Sequence, residues 1–226
     1  MHKLEKHLTT ALIFTAQKGD VKKMKRLIDL GADLDAVNGY GNNALIMAAK
    51  YGQNEAVKLL LETGVNIEVT NKHGNTPLLY ASFEGHTQIV TSLLQRNANI
   101  ECQNEAGMTP LIYASYSNRV ETVKCLINEK CDLNSVDNGQ CTALYYASMM
   151  NNMEIVNDLI LAGADPNIKN DEGNTAVLQS ILFANVEVTK ILINAGADLN
   201  QVNENGDSTK SFAQVFREPE IMLLLN

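Results

Sequence analysis

The chain contains no tryptophan, only four prolines and four arginines, and aromatic residues make up 5% of its 226 positions. No stretch approaches the roughly 18–20 consecutive apolar residues that a membrane-spanning helix needs, and mean hydropathy is -0.12. A helical membrane protein is therefore excluded. Fourteen glycines fall in no three-residue period, which excludes a collagen-like rod. Cysteine is sparse. Cys102, Cys125, Cys131 and Cys141 form no CxxC pair, so neither a zinc site nor a disulfide scaffold is expected. Reduced thiols point to the cytoplasm, with the nucleus or delivery of an effector into a host cell left open. Positive charge is also scarce. The net charge is -8, yet residues 1–26 hold seven Lys/Arg against Glu5 and Asp20, which leaves -13 on the rest. So acidic a body repels phosphate, and neither nucleic acid nor a membrane is expected as partner.

What the chain does contain is apolar residues at 45%, enough for a continuous core, and a repeat. Gly41, Gly74, Gly107, Gln140, Gly173 and Gly206 lie 33 residues apart, and Asn43, Thr76, Thr109, Thr142, Thr175 and Ser208 keep the same step. Within one period Thr76 reads as an N-cap and Pro77 as a first helical residue. Leu78, Ala81 and Ser82 make one flat helical face, and Gly85 ends that helix. Ile89, Val90, Leu93 and Leu94 form the apolar face of a second helix. Gly31, Gly64, Gly163 and Gly196 stop second helices, with Asn97 and Lys130 in the same slot elsewhere.

The 33-residue period, the Thr-Pro-Leu openings at 76–78 and 109–111, and the Gly-Ala-Asp closures at 31–33, 163–165 and 196–198 resemble ankyrin repeats. The resemblance implies an all-α solenoid in a single domain, residues 1–226. Its repeats are near 5–37, 38–70, 71–103, 104–136, 137–169, 170–202 and 203–226. Each is a helix-turn-helix unit joined to the next by a β-turn finger, and first helices and fingers line a concave face. The sequence departs from the family in three columns, one of them at Asn118, Asn151 and Ala184, which replace the glycine between the helices. Ile46, Leu79, Ile112, Tyr145 and Leu178 stand where the family has a histidine, which predicts an apolar contact in place of a polar tie. Gln140 replaces a finger glycine, and Gly139 before it is expected to supply the turn.

The ends and the chemistry are plain. Residues 1–16 weakly resemble a secretory signal, but Thr10-Ala11-Leu12 falls on the repeat register and reads as the first helix of repeat one. Lys22-Lys23-Met24-Lys25-Arg26 reads as the solvated face of a terminal repeat in preference to a localisation patch. No nucleotide-binding, metalloprotease or nucleophile-elbow motif is present. Asp33, Asp132, Asp165 and Asp198 occupy equivalent turns and are expected to hold them. No catalysis, cofactor or metal is implied. The rival readings are an enzyme site hidden in the solenoid, using Asp, His73 or Cys141, and self-assembly through the groove.

All seven tyrosines and five phenylalanines fall in fingers or first helices. The last two first-helix positions read Phe83, Tyr116, Met149, Leu182 and Tyr51, Glu84, Ser117, Met150, Phe183 through the middle repeats. In the family these columns are polar and exposed. Apolar residues there predict an interaction surface, with Tyr51, Phe83, Tyr116, Met149, Met150 and Phe183 as anchors. Tyr40, His73 and Met108 are expected to form a second rim on the fingers. Whether Leu182, Phe183, Val215 and Phe216 are exposed or core stays open. The expected function is non-catalytic binding of another protein, an amphipathic helix or a basic surface, as adaptor, inhibitor, assembly chaperone or effector.

Overall fold

The computed structural model describes the backbone of residues 2–216 and 219–224, and side-chain burial over 7–214 and 221–223. It forms two compact units, Met1–Glu105 and Ala106–Asn226. The first contains α1 (His2–Lys18), α2 (Val21–Asp29), α3 (Ala44–Lys50), α4 (Asn54–Glu62), α5 (Pro77–Glu84) and α6 (Thr87–Leu94). The second contains α7 (Pro110–Tyr116), α8 (Val120–Asn128), α9 (Ala143–Met149), α10 (Met153–Ala162), α11 (Ala176–Leu182), α12 (Val186–Asn194), α13 (Thr209–Phe216) and α14 (Pro219–Leu224). Within each unit first helices pack on first helices, second on second, and each pair on itself. Among the described residues there is no sheet, only the isolated bridges Val136–Thr142 and Val202–Ser208.

The caps follow the 33-residue register. The side chains of Asn43, Thr76, Thr109, Thr142 and Thr175 accept the backbone N–H three residues on, at 2.9–3.4 Å. Each satisfies one of the N–H groups that a helix start leaves unpaired. α1 is the exception. It begins at His2, where the register would place a finger before Ala11, and Leu12, Ile13 and Ala16 on it are buried.

The C-terminal turns of α1, α3, α7 and α9 are closed by a side chain of the following repeat. Gln53 Nε2 donates to the Gln17 carbonyl at 3.2 Å, and His86 Nε2 stands 3.2 Å from the Lys50 carbonyl. In the second unit Asn152 Nδ2 donates to the Ser115 carbonyl at 3.2 Å and Asn185 Nδ2 to the Ser148 carbonyl at 2.8 Å. The column thus supplies the carbonyl partners that a C-terminal turn lacks. Beneath His86 the column needs an empty position, since a Cβ on Gly52 would come 2.7 Å from His86 Cε1.

Non-glycine residues adopt the left-handed conformation wherever the register demands it: Asn97, Asn118, Lys130, Gln140, Asn151 and Ala184, with φ of 53–63°. Two expectations change here. Gln140 itself takes φ 58°, and Gly139 does not supply the turn, because a one-residue shift would move the finger off its register. The histidine column is apolar at Ile46, Leu79, Ile112 and Leu178 but not at Tyr145. The Tyr145 hydroxyl donates to Gln179 Oε1 at 2.9 Å and accepts from Asn170 Nδ2 at 3.2 Å, a polar tie between repeats.

The second helices carry their charges as i,i+3 pairs, Glu55–Lys58, Glu121–Lys124 and Glu187–Lys190. Lys124 also reaches Glu154 at 2.6 Å on the next second helix, and that hydrogen bond raises its pKa.

Candidate interaction surface

Five fingers are pinned by an Asn or Asp three residues before the left-handed residue of the turn. Asn38, Asn71, Asp137, Asn170 and Asn203 each accept two backbone N–H groups of their own finger through one side-chain oxygen, at 2.8–3.1 Å. Successive fingers are then tied backbone to backbone. Lys72 N–H donates to Tyr40 and Glu105 N–H to His73. In the second unit the same step joins Asn138 to Ala106, Asp171 to Gly139 and Glu204 to Glu172, all at 3.0–3.1 Å. The tips that carry Tyr40 and His73 therefore belong to a regular ladder, and both side chains are exposed. Asp33, Asp132, Asp165 and Asp198 hold the other turn of each repeat, each accepting the N–H two residues on at 2.9–3.0 Å.

Met108 is corrected. It is 8% exposed, like Cys141 in the same column, where Asn42, Asn75 and Asn174 are also buried. The residue after the turn points inward, so Met108 and Cys141 leave the rim. Burial also pushes the thiols of Cys141 and Cys102 up to about 11. A thiol raised in the folded state stabilises the fold fully below its ordinary value near 9 and loses that contribution as pH climbs toward 11. Melting temperature is therefore expected to hold up to about pH 9 and fall above it. A Cys102→Ala/Cys141→Ala variant should fall less steeply between pH 9 and 10, before the raised Tyr145 and Tyr146 hydroxyls contribute. An equal slope in both proteins would refute the assignment.

The last side chains of the first helices face solvent. In the first unit Tyr51 is 47% exposed and Phe83 half-buried, and Lys50 Nζ lies 4.8 Å above the Tyr80 ring. In the second unit Tyr116, Met150, Leu182 and Phe183 are 38–53% exposed and Met149 is half-buried. Phe183 and Leu182 are thus surface, not core, while the side chains of Val215 and Phe216 lie outside the described residues. Met150 and Phe183 are the C-cap residues of α9 and α11, and the left-handed Asn151 and Ala184 then turn the chain away. Their side chains are left standing at the open helix end.

Tyr116 is held from below. Its ring meets Tyr146 edge to face at 5.5 Å, and the Tyr146 hydroxyl donates to Asp137 Oδ2 at 2.6 Å. Only Tyr146's place in the 33-residue column was legible in sequence. Its bond to Asp137 was not.

A family model of ankyrin repeats in three copies matches residues 12–104, 89–170 and 148–225. The chain belongs to the ankyrin-repeat family. The crystal structure of the human ASB11 ankyrin repeat domain is similar at TM-score 0.85 and 27% identity, over 95% of this chain and 96% of that one. The ankyrin repeat domain of Bcl-3, a member of the IkappaB family, is similar at TM-score 0.84 and 24% identity, again over 95% and 96%. No curated protein matches the sequence. Ankyrin-repeat domains generally serve as protein-interaction modules and are typically not enzymes. Among the described residues no three His, Cys, Asp or Glu could hold a metal ion together, and no helix is long and apolar enough to cross a membrane. A shallow hollow of about 510 Å³ is lined by His7, Thr10, Ala11 and Phe14 of α1, with His7 its single titratable lining group among the described residues.

Proposed function

We propose that this chain is a non-catalytic binding module that holds another protein on its first-helix ends and finger tips. The observation that carries the reading is the exposed apolar set Tyr116, Met150, Leu182 and Phe183, with half-buried Met149 beside it, in the second unit, at positions where folding asks for nothing apolar. Tyr51, Phe83, Tyr40 and His73 offer a matching set in the first unit. Tyr and Phe are typical anchors, and Met adapts its shape to a partner. The rigid ladder beneath them keeps the ordering cost of binding small. Residues 106–226 hold seven Lys/Arg against fifteen Asp/Glu, so the second unit favours an amphipathic helix or surface with basic residues around its apolar anchors.

The test is capture and identification of the partner, then calorimetry with the purified partner. A Met150→Ala/Phe183→Ala variant is expected to lose about 2–4 kcal/mol of binding with an unchanged melting temperature. A control with Lys58→Ala and Gln88→Ala, both exposed on second helices, should bind like wild type. Equal binding by the first variant would defeat the reading. Unfolding of that variant would mean that the two side chains are structural.

A further inference from the structure

One surface is not accounted for by binding at the first helices. α2 exposes Lys22, Lys23, Lys25 and Arg26, and buries Met24 and Leu27. A terminal repeat needs a polar outer face, but it does not need one of a single sign. The chain's own repeats show what folding prefers there. The position of Lys22 holds Glu55 in α4, Glu121 in α8, Glu154 in α10 and Glu187 in α12. Three of those glutamates pair with a lysine three residues on, at 2.6–3.8 Å. In α2 that pair is Lys22 with Lys25, and Arg26 stands a further residue on. Like charges at these spacings destabilise a helix, and cations in its first turn oppose the helix dipole. The acids on α2 itself are the N-cap Asp20, which accepts the Lys23 backbone N–H at 3.0 Å, and Asp29 at the far end. Among the described residues none of the four cations has an ion-pair partner.

We infer that α2 is a second docking surface, and that its occupant is a short acidic segment of a protein partner. Four cations against the helix's own preference are a charge that folding does not use. Their extent selects the occupant. Nine residues of helix span about 13 Å. Around them the same unit exposes Glu55 and Glu62 on α4, and Asp33 and Asp35 in the turn after α2. A nucleic-acid duplex or an anionic bilayer reaches past 13 Å and would lie over those carboxylates. A short acidic segment stays within a screening length of about 8 Å from the cations. Leu30, 68% exposed where α2 ends, offers a contact for an apolar residue beside the acids.

The test uses the full chain and a fluorescein-labelled peptide of glutamates around one leucine, read by anisotropy at about 0.15 M salt. Phosphatidylserine vesicles and a DNA duplex run beside it, and sedimentation over a dilution series reports self-association. Wild type is expected to bind the peptide, more weakly as salt rises, and a Lys22→Glu/Lys25→Glu variant to lose about tenfold or more. A single Lys22→Glu variant is expected to melt at the same temperature or higher, because it restores the pair that Glu55 and Lys58 make in α4. A milder Lys22→Ala/Lys25→Ala variant should fall between the two in binding. Absent or unaltered peptide binding overturns the inference. So does tighter binding of vesicles or duplex, self-association abolished by the double substitutions, or a lower melting temperature for the Lys22→Glu variant. The first-helix anchors are intact in every arm, so the outcome is independent of the function proposed above.

Discussion

A chain ending at residue 202 is expected to melt far below the full-length protein and to bind a hydrophobic dye. The removed segment holds α13 and α14, which pack on α11 and α12. Ala213 and Ile221 on it are completely buried, as are Ile181 on α11 and Leu192 on α12. Each fully exposed aliphatic side chain costs about 1.5–3 kcal/mol. Loss of Ile221 and uncovering of one partner therefore cost about 3–6 kcal/mol, a large share of a typical domain's stability. Two polar ties go with them, the Glu204 N–H to Glu172 carbonyl bond and the Asn203 Nδ2 to Asn174 Oδ1 bond. In a repeat array each unit contacts only its neighbours, so the damage should concentrate in the second unit. Thermal melts by circular dichroism and dye fluorescence check this. Unchanged melting would mean that the seventh repeat contributes nothing to the packing.

Most of the fold was legible because a repeat states its rules several times. The N-caps Asn43, Thr76, Thr109, Thr142 and Thr175 and the left-handed slots at Asn97, Asn118 and Ala184 could each be read from glycines or threonines 33 residues away. Exposure of Tyr51 and Met150 followed from the same alignment, whereas that of Phe183 stayed open until the structure showed it. The inward turn of Met108 did not, since its column mixes Asn, Met and Cys, residues that no single environment predicts. The polar ties were hidden for a different reason. The 26 asparagines look like a compositional bias. In the structure they pin fingers, cap helix ends and form ladders, as in Asn71 Nδ2 to Asn42 Oδ1 at 3.0 Å and Asn104 Nδ2 to Asn75 Oδ1 at 2.9 Å. Partners 29 to 37 residues apart cannot be paired from spacing until the register is known in three dimensions.

Asp137 is the one acid in that finger column, and its substitution separates shape from charge. Asp137→Ala is expected to destabilise the protein by about 2–3 kcal/mol, and Asp137→Asn by less than about 1 kcal/mol. Asp137 is buried, with Oδ1 accepting the Gly139 and Cys141 N–H groups, both at 2.9 Å, and Oδ2 accepting the Tyr146 hydroxyl at 2.6 Å. Alanine strips all three donors of their acceptor, and the Cys141 N–H is too buried for water to replace it. Asparagine keeps Oδ1. Its Nδ2 would face the Tyr146 hydroxyl as donor, the arrangement already present in the same columns two repeats earlier, where Asn71 Nδ2 donates to the Tyr80 hydroxyl at 2.9 Å. The neighbouring residue explains why an acid is tolerated at this repeat. Asn71 and Asn104 donate to an asparagine in the preceding finger, whereas the equivalent residue before Asp137 is Met108, a poor acceptor. An aspartate there leaves no donor unused. Chemical denaturation of the two variants decides it. Equal losses for Ala and Asn would show that the charge, and not the pair of finger bonds, is what the fold requires. If Asp137→Ala were neutral, Tyr146 would be held by packing alone and Tyr116 would rest on a looser base than the geometry implies.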